Sequence, residues 1–146
     1  RAIGISLTEE NPKEIFILNR NKARGESLVK DINSFAGTYM ASSVERVPKG
    51  INIIINTTPL GMWPKVHSNP LNDYIFSPNT VVCDIVYNPR ITTLLKKANK
   101  ANCLTVQGIG MLVGQGIKAH EIWTGQSIDQ SMFNFLCDHL IKQLTN

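Results

Sequence analysis

Four short stretches of the chain gather side chains able to bind or orient a ligand. Asn19, Arg20, Asn21, Lys22, Ala23 and Arg24 place three cations and two amides within six residues. Arg20 offers a planar guanidinium fork suited to a phosphate, and Arg24, four residues on, lies on the same side of an opening helix turn. A solvated helix start carrying ordinary surface charge has the same composition. Asn56-Thr57-Thr58-Pro59-Leu60-Gly61 collects hydroxyls, an amide and a Gly that can line a cleft, and the same residues serve a tight turn. Tyr87, just past Asp84-Ile85-Val86, can present a phenol to a ligand, while Asp84 can cap a neighbouring backbone group. A packed, half-exposed aromatic is the plainer reading of Tyr87. The fourth stretch, from Gly108 through Gly110 and Gly114 to Gln115 and Gly116, is unusual for a helix start, because Gly costs about 1 kcal/mol relative to Ala in a helix interior. Something must approach the backbone closely there, either a flat ligand ring at Gly108 or Gly110 or the neighbouring sheet. Gln115 is a neutral donor and acceptor suited to hydroxyls.

Other chemistries lack support. His67, His120 and His139 are isolated, and Cys83, Cys103 and Cys137 form no C-x-x-C pair, so neither a metal site nor a disulfide framework is indicated. Cys83 and Cys103 sit in apolar runs and read as buried thiols in a reducing compartment. No G-x-S-x-G, Walker or H-E-x-x-H pattern occurs, and the glycines from Gly108 do not follow the phosphate-binding G-x-G-x-x-G spacing. The net charge of +4 arises from scattered Lys and Arg, with Lys96 and Lys97 the only adjacent pair, which argues against a nucleic-acid surface. No apolar run approaches the ~20 residues of a membrane span and no leader-like segment is evident, so a cytoplasmic protein is expected. With 146 residues, 42% of them hydrophobic, the composition suffices for one core and one domain.

The elements that must position these stretches follow from periodicity. Short apolar runs at residues 14–18, 50–56, 80–86 and 103–106 read as buried parallel strands, with a weaker candidate at 38–40 and a loop at 44–50. Helical spacing appears at 22–35, with Ala23, Leu28, Ile32 and Phe35 inward, and at 92–99, with Leu94, Leu95 and Ala98 inward. Residues 108–123 read as a helix opened by glycines. The last amphipathic helix, at 129–144, carries Met132, Phe133, Leu136, Leu140 and Ile141 on one face. Arg1 to Leu7 has the pattern of a helix interior with no capping residue before it. Strand and helix alternate, which argues for α/β architecture with an open, doubly wound parallel sheet in three αβα layers. Ligands of such sheets sit beyond the C-terminal ends of the strands, where all four stretches fall. At the end of a second strand, a dinucleotide fold carries an acid for the ribose of NAD or an Arg for the 2′-phosphate of NADP; here there is no acid.

In order and spacing, Asn19-Arg20 with Arg24, Asn56-Thr57-Thr58-Pro59-Leu60-Gly61-Met62, Asp84 to Pro89 with Thr92 and Leu95, and Gly108 to Gln115 with Trp123-Thr124-Gly125 together resemble the shikimate dehydrogenase family over nearly the whole chain. The resemblance implies a Rossmann-like C-terminal cofactor domain, NADP as cofactor, and reduction of 3-dehydroshikimate to shikimate in aromatic amino-acid biosynthesis. By position, Asn19, Arg20, Asn21, Lys22, Ala23 and Arg24 resemble the family's clamp on the adenosine 2′-phosphate. Ile85 and Gly108 match positions whose backbone meets the nicotinamide, and Tyr87 and Gln115 match residues that touch substrate. The family usually has Thr where Asn21 stands and often Asp where Gln107 stands.

The resemblance also implies that the family's glycine-rich loop precedes a pair matching Arg1-Ala2, and that its catalytic Lys and Asp belong to an N-terminal substrate domain. The chain is therefore expected to be a piece of a longer protein, inactive alone, with no catalytic residue of its own and with its last helix packing back toward that substrate domain. A non-catalytic nucleotide-binding domain and a quinate-acting relative are the alternatives. In the strand order 3-2-1-4-5-6 the first strand is central, so its absence is expected to leave a gap between the strand at Ile15 and that at Ile51. Unpaired edges are costly, so the sheet is expected to close differently, to borrow a strand in an exchanged dimer, or to belong to a longer protein that supplies it.

Overall fold

The computed structural model describes residues 1–38 and 40–144. It forms two compact units, Arg1–Lys49 and Gly50–Asn146. The first contains α1 (Ala2–Glu9), β1 (Ile15–Leu18), α2 (Lys22–Ala36) and β2 (Ala41–Val44). β1 and β2 run parallel, Ile15 opposite Ala41 and Leu18 opposite Val44. Ile32, fully buried, joins Ile15 and Ala41 in the core, with Leu7, Leu28 and Val29 packed around them. The inward row of α2 runs through Gly25, Leu28, Val29 and Ile32 rather than through Ala23 and Phe35, and Phe35 is 59% exposed. The close approach of α2 to the strands fixes that row: a Cβ on Gly25 would lie 3.2 Å from Ser43 Oγ and 3.3 Å from Asn19 Cβ.

The second strand forms at Ala41–Val44, not at 38–40, and Tyr39 lies outside the described residues. The side chain of Asn33 sets its start, accepting from the N–H groups of Met40 (2.9 Å) and Ala41 (2.7 Å) and donating to the Ala41 carbonyl (2.9 Å). The Met40 carbonyl accepts from the Ile15 N–H at 2.9 Å and opens the ladder, while the clamp satisfies the Ala41 groups that β1 leaves unpaired.

The second unit holds β3 (Ile53–Asn56), β4 (Val81–Asp84), α3 (Thr93–Lys100), β5 (Leu104–Val106), α4 (Ile109–Thr124) and α5 (Gln130–Leu144). Its three strands are parallel in the order β3-β4-β5, with Asn56 opposite Asp84. The run from Gly50 pairs only from Ile53 on, Gly50 itself lying at φ 75° in the preceding turn. Val82, Leu94 and Ala98 are fully buried and Leu95 nearly so, which seats α3 on β4 and β5 as its periodicity requires. The α4 and α5 helices pack on each other, and Phe133 lies where Cβ atoms on Gly110 and Gly114 would stand 3.8 and 3.9 Å from its ring. The apolar face expected of α5 is only half covered, and no residue of that helix is buried.

Residues 62–79, uninformative as sequence, are held by α3. Lys97 donates to the carbonyls of Leu71 and Asn72 and sits 5.9 Å above the ring of buried Phe76, while Thr93 Oγ1 donates to the Val66 carbonyl at 3.0 Å. Among the described residues the strands form two sheets, β1-β2 and β3-β4-β5, as expected where no strand pairs with both β1 and β3. No helix among them is long and apolar enough to cross a membrane.

Candidate functional site

Each unit carries a cleft at the C-terminal ends of its strands. In the first, Leu18, Asn19, Arg20, Lys22 and Glu26 face Ser43, Val44 and Glu45 across a space of about 530 Å³. Two successive side-chain turns shape the segment from Asn19 to Arg24. The Asn21 N–H donates to Asn19 Oδ1 at 2.9 Å, and the Arg24 N–H donates to Asn21 Oδ1 at 3.0 Å, capping α2. Both carboxamide oxygens are thus used to shape the turn, and Arg20, between them, is exposed. No ion pair is recorded for Arg20, Lys22 or Arg24 among the described residues. Cations left unpaired at a helix start are electrostatically ready for an anion, which the N-terminal end of the helix also favours. Asn21, Ala23 and Arg24 stand outside the lining. Glu26, Ser43, Val44 and Glu45 were not singled out from the sequence; placing the second strand correctly identifies the last three.

Because Asn21 caps α2, Asn21→Ala is expected to cost about 1 kcal/mol of stability and Asn21→Thr much less, since both Asn and Thr accept from the N2 or N3 amide. Chemical denaturation of the two variants measures this.

In the second unit, Thr57, Thr58, Pro59 and Met62 form one wall of a cleft of about 320 Å³, Ile85, Val86 and Tyr87 another, and Met111, Leu112 and Gln115 of α4 the third. Tyr87 is 41% exposed. The lining is mostly apolar, with Tyr87, Gln115 and the two Thr hydroxyls as its polar groups. Gly108 caps α4 and stands where the helix meets the end of β4: a Cβ there would lie 2.3 Å from the Ile85 carbonyl oxygen and 2.8 Å from that of Val86. Close packing of backbone against backbone therefore accounts for this glycine without a ligand ring. Nearby, Arg90 Nε donates to Gln107 Oε1 at 2.8 Å, a role that an Asp at that position could fill. Burial pushes the thiols of Cys83 and Cys103 up, so both are neutral near pH 7, although Cys83 is only half-buried. No group of His, Cys, Asp or Glu able to hold a metal ion occurs among the described residues.

The shikimate 5′-dehydrogenase C-terminal domain model matches residues 108–131, the segment containing Gly108 and Gln115. The shikimate dehydrogenase (NADP(+)) of Methanocaldococcus jannaschii is 36% identical over 149 residues, covering 97% of this chain and 52% of that protein. The chain belongs to the shikimate dehydrogenase family. It corresponds to the C-terminal part and spans about half the length of the curated relatives it matches. A crystal structure of a shikimate dehydrogenase in complex with NADP+ superposes with a TM-score of 0.86 at 32% identity, over 99% of this chain and 51% of the other. Quinate dehydrogenase from Corynebacterium glutamicum in complex with NAD gives 0.83 at 26% identity, over 92% and 49%. The family's Rossmann-like α/β fold is thereby shared.

Proposed function

We propose that this chain is the cofactor-binding part of an NADP-dependent shikimate dehydrogenase, a cytoplasmic enzyme of aromatic amino-acid biosynthesis that interconverts 3-dehydroshikimate and shikimate. The observation that carries the reading is the pairing of chemistries at the strand ends: unpaired cations without an acid at the turn after β1, and a small apolar cleft with a phenol and a carboxamide after β4. The first suits NADP on chemical grounds. Arg20 and Lys22 line a cleft large enough for a phosphorylated ribose, and Arg24 adds charge one turn into α2. Glu26 on the same side and Glu45 on the far side are left to meet ribose hydroxyls rather than phosphate.

When bound, NADP supplies or accepts the hydride. The Ile85 backbone would hold the nicotinamide end, with Gly108 packed behind it against its carbonyl, and the apolar lining from Met62, Val86, Met111 and Leu112 would exclude water there. Tyr87 donates to and Gln115 both donates to and accepts from the polar groups of the substrate, orienting its ring. The proton is handled by the Lys and Asp that the family resemblance assigns to the N-terminal substrate domain, so residues 1–146 by themselves are expected to bind without turning over.

Similarity to a quinate dehydrogenase makes quinate the second substrate to test, since a Tyr and a Gln do not distinguish the two polyols. Steady-state oxidation of shikimate and quinate by the intact protein decides: a higher kcat/KM for shikimate supports the reading, a higher one for quinate replaces the substrate, and no oxidation of either removes it.

A further inference from the structure

Asp84 lines neither cleft and is 2% exposed, yet three donors from three segments converge on its carboxyl group. The Val86 N–H and Asn56 Nδ2 both reach Oδ1 at 3.0 Å, and the Thr92 hydroxyl reaches Oδ2 at 2.6 Å. Thr92 in turn caps α3, accepting from the Leu95 N–H at 3.3 Å. Asn56, also buried, is fully engaged. Its Oδ1 accepts from the N–H (3.0 Å) and the hydroxyl (2.7 Å) of Thr58, and its Nδ2 donates to the Leu60 carbonyl (3.3 Å) as well as to Asp84. A buried network with every group satisfied rigidifies what it joins.

What it joins is specific. Thr57 and Thr58 form one wall of the second cleft, and Val86 and Tyr87 form the facing wall. The side-chain link between them runs from Thr58 through Asn56 to Asp84 and on to the Val86 amide. A residue serving only the packing of β4 would have no need to reach the turn after β3.

We propose that Asp84 is a positioning residue: through Asn56 it locks the Thr57–Thr58 wall to the Val86–Tyr87 wall, so that Tyr87 and the Ile85 backbone meet the substrate end in one geometry. The proposal rests on the reading of this cleft as the substrate and nicotinamide end. Asp84→Asn keeps an acceptor for Val86 and Asn56 while Thr92 turns to accept instead of donate. Asp84→Ala removes the link.

The test uses the intact protein. Asp84→Ala is expected to raise KM for shikimate and to lower kcat/KM about 10²-fold in all, as misplacement by about 1 Å does, while KM for NADP, set by the cations after β1, moves less than about 2-fold; Asp84→Asn recovers most of the loss. A structural role alone lowers the active fraction and leaves both KM values unchanged, which overturns the proposal. Should Asp84→Ala not fold, Asn56→Ala, which leaves Asp84 bonded to Val86 and Thr92, is read by the same pattern. Amide hydrogen exchange supplies a readout that does not depend on the substrate: in either variant the amides on both walls lose protection together. In Asp84→Ala this includes the Thr58 amide, which does not touch Asp84. Retained Thr58 protection overturns the proposal, whereas an inactive wild type with coupled exchange overturns only the substrate assignment.

Discussion

Gly108→Ala is expected to cost about 3 kcal/mol of stability and about 10²-fold in turnover of the intact enzyme. A Cβ at this position would stand 2.3 Å from the carbonyl oxygen of Ile85 and 2.8 Å from that of Val86, and backbone cannot swing aside as a long side chain can. Overpacking of a tight contact costs about 1–3 kcal/mol, and a contact with backbone falls at the upper end. The strain is relieved only if the start of α4 lifts away from the end of β4. That movement separates Gln115 and Met111 from Ile85 and Tyr87, two walls of the cleft that must keep their spacing for the proposed reaction. Gly116→Ala provides the control in the same helix. Nothing lies within 4 Å of the Cβ it would add, so it is expected to stabilise by about 0.5–1 kcal/mol through lower backbone entropy in the unfolded chain. Thermal midpoints of the two variants, shifting in opposite directions, check the pair; a Gly108→Ala protein as stable and active as wild type contradicts the close-packing account.

Arg20→Ala is expected to raise KM for NADP about 10- to 10²-fold with little change in kcat. A hydrogen bond to a charged group is worth about 1.5–3 kcal/mol, and Arg20 has no carboxylate partner recorded among the described residues that would already consume it. The 2′-phosphate takes no part in hydride transfer, so the interaction is made equally in the ground and transition states and its loss appears in KM. Lys22→Ala follows in the same direction with a smaller effect, because an ammonium presents a point charge rather than a fork. Comparison of NADP and NAD kinetics in wild type and Arg20→Ala separates this from general damage: the NAD values are expected to stay the same. Unchanged affinity for NADP would place the phosphate elsewhere.

Legibility from sequence differed sharply between segments, for physical reasons. The strands at Ile15, Ile53 and Val81 stand out because each is a short continuous apolar run, and the ends of those runs pointed to Arg20, Thr57 and Tyr87. β2 is Ala-Ser-Ser-Val, with two exposed serines, and carries no such run; its start is fixed by the side chain of Asn33 from another element. With β2 misplaced, Glu45 and Ser43 could not be seen as the far side of the first cleft. Similarly, Asp84 was legible as a capping group, but its reach to Asn56 is a consequence of register, Asn56 standing opposite Asp84 in neighbouring strands 28 residues apart. The segment between β3 and β4 owes its order to Lys97 and Thr93 of a helix that comes later in the chain, which no local pattern reveals.

The central proposal is that the cations after β1 take the 2′-phosphate of NADP and the cleft after β4 takes a small polyol. Shikimate oxidation by the intact protein, measured as kcat/KM with NADP and with NAD in parallel, tests it most directly. A preference for NADP of about 10-fold or more, as one charged hydrogen bond supplies, is the expected result. Equal use of the two cofactors, or no shikimate-dependent reduction of either, contradicts it.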